Sequence, residues 1–130
     1  MARMEHFALF AKDAAVLKDF YVQAMGLRIA VDNGAGKPPG YFLVDDAGMA
    51  LEIIGRPVGV EAGDTRYLCH VAFAVEDVEA EQRRLEGLGL TFEAETVVNT
   101  PAMKTSFFRD PAGNRCQIVW RAAPLTVGSK

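Results

Sequence analysis

HFALFAKD at His6–Asp13 and HVAFAVED at His70–Asp77 share one pattern, a histidine followed by alternating apolar residues, a charge and an aspartate, with the histidines 64 positions apart. FLVDDAGMALEII at Phe42–Ile54 is answered 65 positions later by FFRDPAGNRCQIV at Phe107–Val119, where Phe, Asp, Ala, Gly and an Ile coincide without a gap. Between these blocks each half runs from its aspartate to a Gly-Leu pair, Gly26-Leu27 and Gly89-Leu90. Self-similarity at a fixed period means one supersecondary unit used twice. The fold question therefore reduces to reading one module.

Residues 4–11 are apolar and β-prone, and Asp13 is placed to cap a helix. Val16, Leu17, Phe20, Tyr21 and Ala24 recur as one face of that helix, which Gly26 closes. A strand over 27–31, a glycine- and proline-rich loop over 33–40, and strands 41–45 and 49–54 around the turn 46–48 complete a β-α-β-β-β unit. The second half predicts a strand over 67–75, a helix over 77–88 held by Val78, Leu85 and Leu88, a strand over 90–97, a loop VNTPA at 98–102, and strands 104–109 and 115–121. The expected fold class is α+β, two tandem βαβββ modules. The chain reads as a single domain: module one at about 1–56, a joint at 57–66, module two at about 67–122 and a tail at 123–130.

At 130 residues, 50% hydrophobic and 24% charged, the composition is that of one globular domain. No apolar run reaches the length of a membrane span, and the N-terminus lacks a secretory pattern, so the expected location is cytoplasmic. The net charge of -3 is scattered along the chain, which argues against nucleic-acid and membrane partners. Two cysteines, Cys69 and Cys116, without CxxC spacing exclude a disulfide scaffold and read as buried small hydrophobes.

Aligning the halves sets His6 against His70 and Glu52 against Gln117. Each module offers one imidazole from its first strand and one oxygen-bearing side chain from its last. Taken singly, each is more often a hydrogen-bonded or solvated group than a ligand; their recurrence at matched positions points to a metal. If the modules are related by a pseudo-twofold, the four groups converge. Two imidazoles, a carboxylate and an amide oxygen suit zinc, nickel, cobalt, iron(II) or manganese rather than calcium. Period-two alternation puts both cysteines on the opposite face from these donors and places small residues, Ala8, Ala72 and Ala74, beside them.

HFALFAKD with LKDFYVQAMGL, the LEII strand, HVAFAVED and FFRDPAGNRCQIVW, spanning residues 4–121, together resemble the vicinal oxygen chelate superfamily of glyoxalase I, methylmalonyl-CoA epimerase, extradiol dioxygenases and the fosfomycin and bleomycin resistance proteins. The resemblance implies that the two modules form a cupped, incomplete mixed-sheet barrel around a metal cleft, with metal ligands at His6, Glu52, His70 and Gln117. It also implies a glyoxalase I-like lyase or isomerase acting on a small substrate with vicinal oxygens, with Glu52 as proton carrier and glutathione or another thiol as a possible co-substrate. The last ligand is normally glutamate; Gln117 can coordinate but cannot accept a proton. That departure counts against extradiol and fosfomycin-type transferase chemistry and leaves a site of formal charge +1. A bleomycin-resistance-like protein that sequesters a drug or metabolite without chemistry is the rival reading. Short members of the family are commonly homodimers, so the resemblance implies a homodimer, with the site either within one chain or built from His6 and Glu52 of one chain and His70 and Gln117 of the other. Loops 33–40 and 98–104 are placed at the cleft mouth, where Lys104 and Arg109 read more readily as solvated surface than as substrate contacts.

Overall fold

The computed structural model describes residues 5–59 and 70–123. The expectations for Cys69, for most of the joint, for the first part of the strand over 67–75 and for most of the tail lie outside the described residues. The elements are β1 (His6–Ala11), α1 (Ala14–Met25), β2 (Arg28–Asn33), β3 (Gly40–Val44), β4 (Ala50–Gly55), β5 (Val71–Ala74), α2 (Val78–Gly87), β6 (Val98–Asn99), β7 (Met103–Arg109) and β8 (Arg115–Arg121). They form two open four-stranded sheets, ordered β1-β4-β3-β2 and β5-β8-β7-β6. In each, the first strand runs parallel to the last and the remaining pairs are antiparallel. The fold is α+β, two tandem βαβββ modules. Two compact units result, one of Met1–Asp64 with the turn Asp110–Asn114, the other of Thr65–Arg109 with Arg115–Lys130.

In the first unit Asp13 accepts from the Val16 amide at 3.1 Å, and Gly26, at φ 71°, ends α1 in the left-handed conformation that glycine adopts without strain. Ala14, Leu17, Tyr21 and Ala24 form the buried stripe against β3 and β4, where Leu43, Leu51 and Ile53 are equally enclosed. Val16, expected on that face, is 52% exposed because it lies off the Ala14–Leu17–Tyr21 line.

In the second unit Asp77 caps α2 through the Ala80 amide at 3.0 Å. Val78 and Leu85, seven positions apart, are the buried anchors of α2, which packs on β7 and β8. Leu88, expected as a third anchor, is 58% exposed. The chain has already left α2 there, turning through Gly89 at φ 95°, so Leu88 is off the helical stripe. Phe108, Cys116 and Ile118 fill the core beneath α2.

The strand expected over 90–97 is not formed. Phe92 makes a single bridge to Phe108, the Glu93 amide donates to the Phe107 carbonyl at 2.8 Å, and the chain then turns at 94–96. The cause is Glu93: Arg115 donates to both of its carboxylate oxygens at 3.0 Å, and Thr96 Oγ1 donates at 2.9 Å, which draws the backbone into a turn. Pairing resumes at Val98–Asn99, inside the stretch expected as loop, where Val98 faces Thr105 and Asn99 faces Lys104.

The Glu93–Arg115 pair is mostly enclosed, and the Arg115 guanidinium also lies 3.7 Å from the Phe107 ring centroid. Hydrogen bonding from Arg115 is the main cause holding the Glu93 carboxyl below the ordinary glutamate range. A depressed folded pKa stabilises above the unfolded value and loses that stabilisation as pH falls through the folded one. Stability is therefore expected to hold at neutral pH and to fall as pH drops below the usual glutamate value of 4.5. Denaturation of Glu93→Gln across pH 3–7 checks this. A variant that loses as much stability on acidification as the parent chain excludes Glu93 as the source.

The repeat reaches to individual hydrogen bonds. In the β3–β4 turn Asp45 Oδ1 accepts from Ala47 N at 3.0 Å and Met49 N at 2.9 Å; in the β7–β8 turn Asp110 Oδ1 accepts from Ala112 N and Asn114 N, both at 2.9 Å. Gly48 and Gly113 both sit at φ 86°. What differs is that Asp110 Oδ2 also accepts from the buried Tyr21 hydroxyl at 2.7 Å.

Candidate functional site

Each sheet has one face under its helix and one face open within its unit. In β4 the residues Leu51, Ile53 and Gly55 are buried while Ala50, Glu52 and Ile54 alternate onto the other side. Register pairs Ala8 with Glu52 and Phe42 with Glu52, so β4 carries its carboxylate between a small residue on β1 and an aromatic one on β3. The second sheet repeats this: Ala72 and Phe107 flank Gln117. The histidines follow the same plan, His6 standing edge-on to Phe42 at 5.4 Å and 83°, and His70 edge-on to Phe107 at 5.3 Å and 87°.

In the first unit His6 Nε2 lies 3.7 Å from Glu52 Oε1. That is too long for a hydrogen bond. It lies just beyond the separation of about 2.8–3.6 Å between neighbouring donors that share an ion at about 2.0–2.2 Å from each, so a small closing movement would let both reach one ion. Both side chains are partly open, 37% and 25% exposed. The other ring nitrogen, His6 Nδ1, is taken by Glu5 Oε1 at 2.8 Å. The residues present therefore fit half of a divalent-metal site, with one imidazole and one carboxylate oxygen directed at the same space.

In the second unit Gln117 Nε2 donates to Thr105 Oγ1, which is buried at 2% exposure. With its amide nitrogen so engaged, Gln117 keeps its carbonyl oxygen as an acceptor or metal donor. His70 immediately precedes β5, two residues from Ala72 and on its face. Among the described residues no three His, Cys, Asp or Glu side chains group closely enough to hold a metal by themselves. Each unit presents two of the four expected donors.

Cys116 is fully buried beside Gln117, on the helix side of β8, in accord with an inert thiol. Lys104 is engaged by Glu79 of α2 at 3.2 Å and borders a cleft of about 320 Å³ with Glu76, Asp77 and Trp120 on that same helix side. It is thus turned away from the face of Gln117. Glu5 and Thr105 are the residues that sequence reasoning missed. Glu5 precedes β1 and escapes the alternation that would otherwise send it to the opposite face from its neighbour. Nothing in the repeat marks Thr105, since the equivalent position in module one is Gly40.

No described helix is long and apolar enough to cross a membrane. A curated relative, the uncharacterized protein YaeR of Escherichia coli (strain K12), is 28% identical over 123 residues, covering 87% of this chain and 92% of its own. The solved lactoylglutathione lyase of Agrobacterium tumefaciens shares the fold at a TM-score of 0.68 and 21% identity, covering 92% of each chain. A variant of the fosfomycin resistance protein FosX from Listeria monocytogenes, complexed with Mn(II) and 1S,2S-dihydroxypropylphosphonic acid, does so at a TM-score of 0.77 and 18% identity, covering 96% of this chain and 95% of the other. These two carry different activities on one architecture, so fold alone does not select a reaction. With the Glyoxalase/Bleomycin resistance protein/Dioxygenase superfamily model matching residues 3–118, across both modules, the chain belongs to that superfamily.

Proposed function

We propose that this protein is a cytoplasmic, metal-dependent lyase or isomerase of the glyoxalase I type, acting on a small substrate with vicinal oxygens. Its site is completed in a homodimer, where His6 and Glu52 of one chain meet His70 and Gln117 of the other. The observation that carries this reading is the 3.7 Å approach of His6 Nε2 to Glu52 Oε1 without a hydrogen bond between them. A divalent zinc, nickel, cobalt, iron or manganese ion held there would supply Lewis-acid polarisation of adjacent substrate oxygens. Glu52 takes a proton from the substrate carbon and returns it to the neighbouring one, a task closed to Gln117 because an amide does not accept protons at neutral pH. Ala8 and Ala72, flanking the two oxygen donors, leave room for the substrate.

Metal analysis together with turnover of a glutathione hemithioacetal tests this. One ion per chain is expected, lost in His6→Ala and in His70→Ala. Co-expressing those two variants is expected to restore one intact site per mixed dimer. A parent protein that takes up none of the five metals overturns the metal reading, and failure of the mixed dimer to recover metal overturns the shared site. Metal uptake without turnover of the hemithioacetal keeps the metal site and leaves its reaction open.

A further inference from the structure

We infer that Glu5 is the positioning residue for His6, holding its ring so that Nε2 faces the metal and supplying, from outside the coordination sphere, negative charge that the amide at Gln117 does not. This rests on the metal reading above. A carboxylate only accepts hydrogen bonds, so the 2.8 Å contact of Glu5 Oε1 with Nδ1 places the ring proton on Nδ1. In the neutral ring the lone pair is then on Nε2, the nitrogen 3.7 Å from Glu52. The Phe42 ring lies T-shaped against the same imidazole, with centroids 5.4 Å apart, and gives it a second contact beside Glu5.

The Glu5 side chain is 79% exposed, but its backbone is not loose: the Glu5 carbonyl accepts from the Ala50 amide at 3.0 Å, at the start of β4. The strand that carries Glu52 therefore also fixes the origin of Glu5. A carboxylate on the far nitrogen of a ligating histidine makes the imidazole a stronger donor and fixes its tautomer, and losing such a partner typically weakens metal binding about 10–100-fold. The matching position in module two is a cysteine in sequence, Cys69, just as the matching oxygen donor is an amide. All the carboxylate character of the constellation thus comes from the first module.

The test compares Glu5→Ala and Glu5→Gln with the parent protein. An exposed pair contributes little to folding, so all three are expected to melt alike without metal. In metal-free protein at a pH where the ring is neutral, nitrogen-detected proton NMR is expected to show His6 as the Nδ1–H tautomer in the parent. In Glu5→Ala it is expected to move toward the Nε2–H form that a free histidine side chain prefers. Calorimetry with Mn²⁺ and Co²⁺ alone is expected to show affinity about 10-fold or more weaker in Glu5→Ala. Glu5→Gln, whose amide oxygen still accepts, is expected to recover part of that loss. Parent-like tautomer and affinity in Glu5→Ala overturn the inference, and equal losses in both variants reduce Glu5 to a distant charge. If the parent binds no metal while the tautomer still shifts, it is the metal reading that fails.

Discussion

Replacing Asp110 by alanine is expected to lower stability by about 3–4 kcal/mol, whereas the same change at Asp45 should cost only about 1 kcal/mol. Both aspartates organise the same turn through the same pair of backbone amides. Asp110 is 4% exposed, and it also accepts from Asn114 Nδ2 at 3.0 Å and from the fully buried Tyr21 hydroxyl at 2.7 Å. Its removal takes an acceptor away from a buried hydroxyl in addition to loosening a turn, and losing a buried hydrogen bond costs more than losing an exposed one. Thermal unfolding should show the Asp110→Ala midpoint lower by roughly 10 °C. Tyr21→Phe, which deletes one side of the contact, should fall between the two aspartate variants. Equal losses at Asp45 and Asp110 would show that the turn geometry, and not the Tyr21 contact, accounts for the effect.

Glu52→Gln is expected to reduce turnover by about 10²–10⁴-fold, the range that general acid–base groups contribute, while leaving metal in place. Glutamine keeps an oxygen donor at position 52 but removes the proton acceptor, which separates the two duties assigned to this side chain. Gln117→Glu is the converse change: it adds a second carboxylate, which in the proposed metal site would lower the formal charge from +1 to neutral. Retained turnover in Glu52→Gln with metal still bound would exclude Glu52 as the proton carrier. Loss of both metal and turnover would instead mark it as an indispensable ligand.

The architecture was legible because the repeat could be checked against itself. Each aspartate before a helix, each Asp-x-Ala-Gly turn and each alternating strand has a counterpart about 65 positions away, and a coincidence in both copies outweighs weak local propensity. Where the copies diverge, the reading failed. The run LTFEAETV has the alternation of a strand, but Glu93 spends its side chain on Arg115, 22 residues further on, and the backbone follows it into a turn. The approach of His6 to Glu52 could be inferred from register, since parallel pairing of β1 with β4 puts position 6 and position 52 on one face. The partners of these groups could not. Tyr21 reads as one more apolar anchor of α1, and the residue that receives its hydroxyl is 89 positions away.

That same separation bears on the order in which the protein can be completed as it is made. The turn Asp110–Asn114 belongs to module two by sequence, yet it packs as part of the first unit. When the ribosome has extended the chain through its first 64 residues, β1 through β4 and α1 have been made, but the Asp110 carboxylate that accepts from Tyr21 has not. The first unit reaches its final form only when the chain has been extended through residue 114. The half that begins first therefore waits on a stretch of the second half, and a fragment ending at the joint would lack the Asp110 carboxylate that accepts from the Tyr21 hydroxyl.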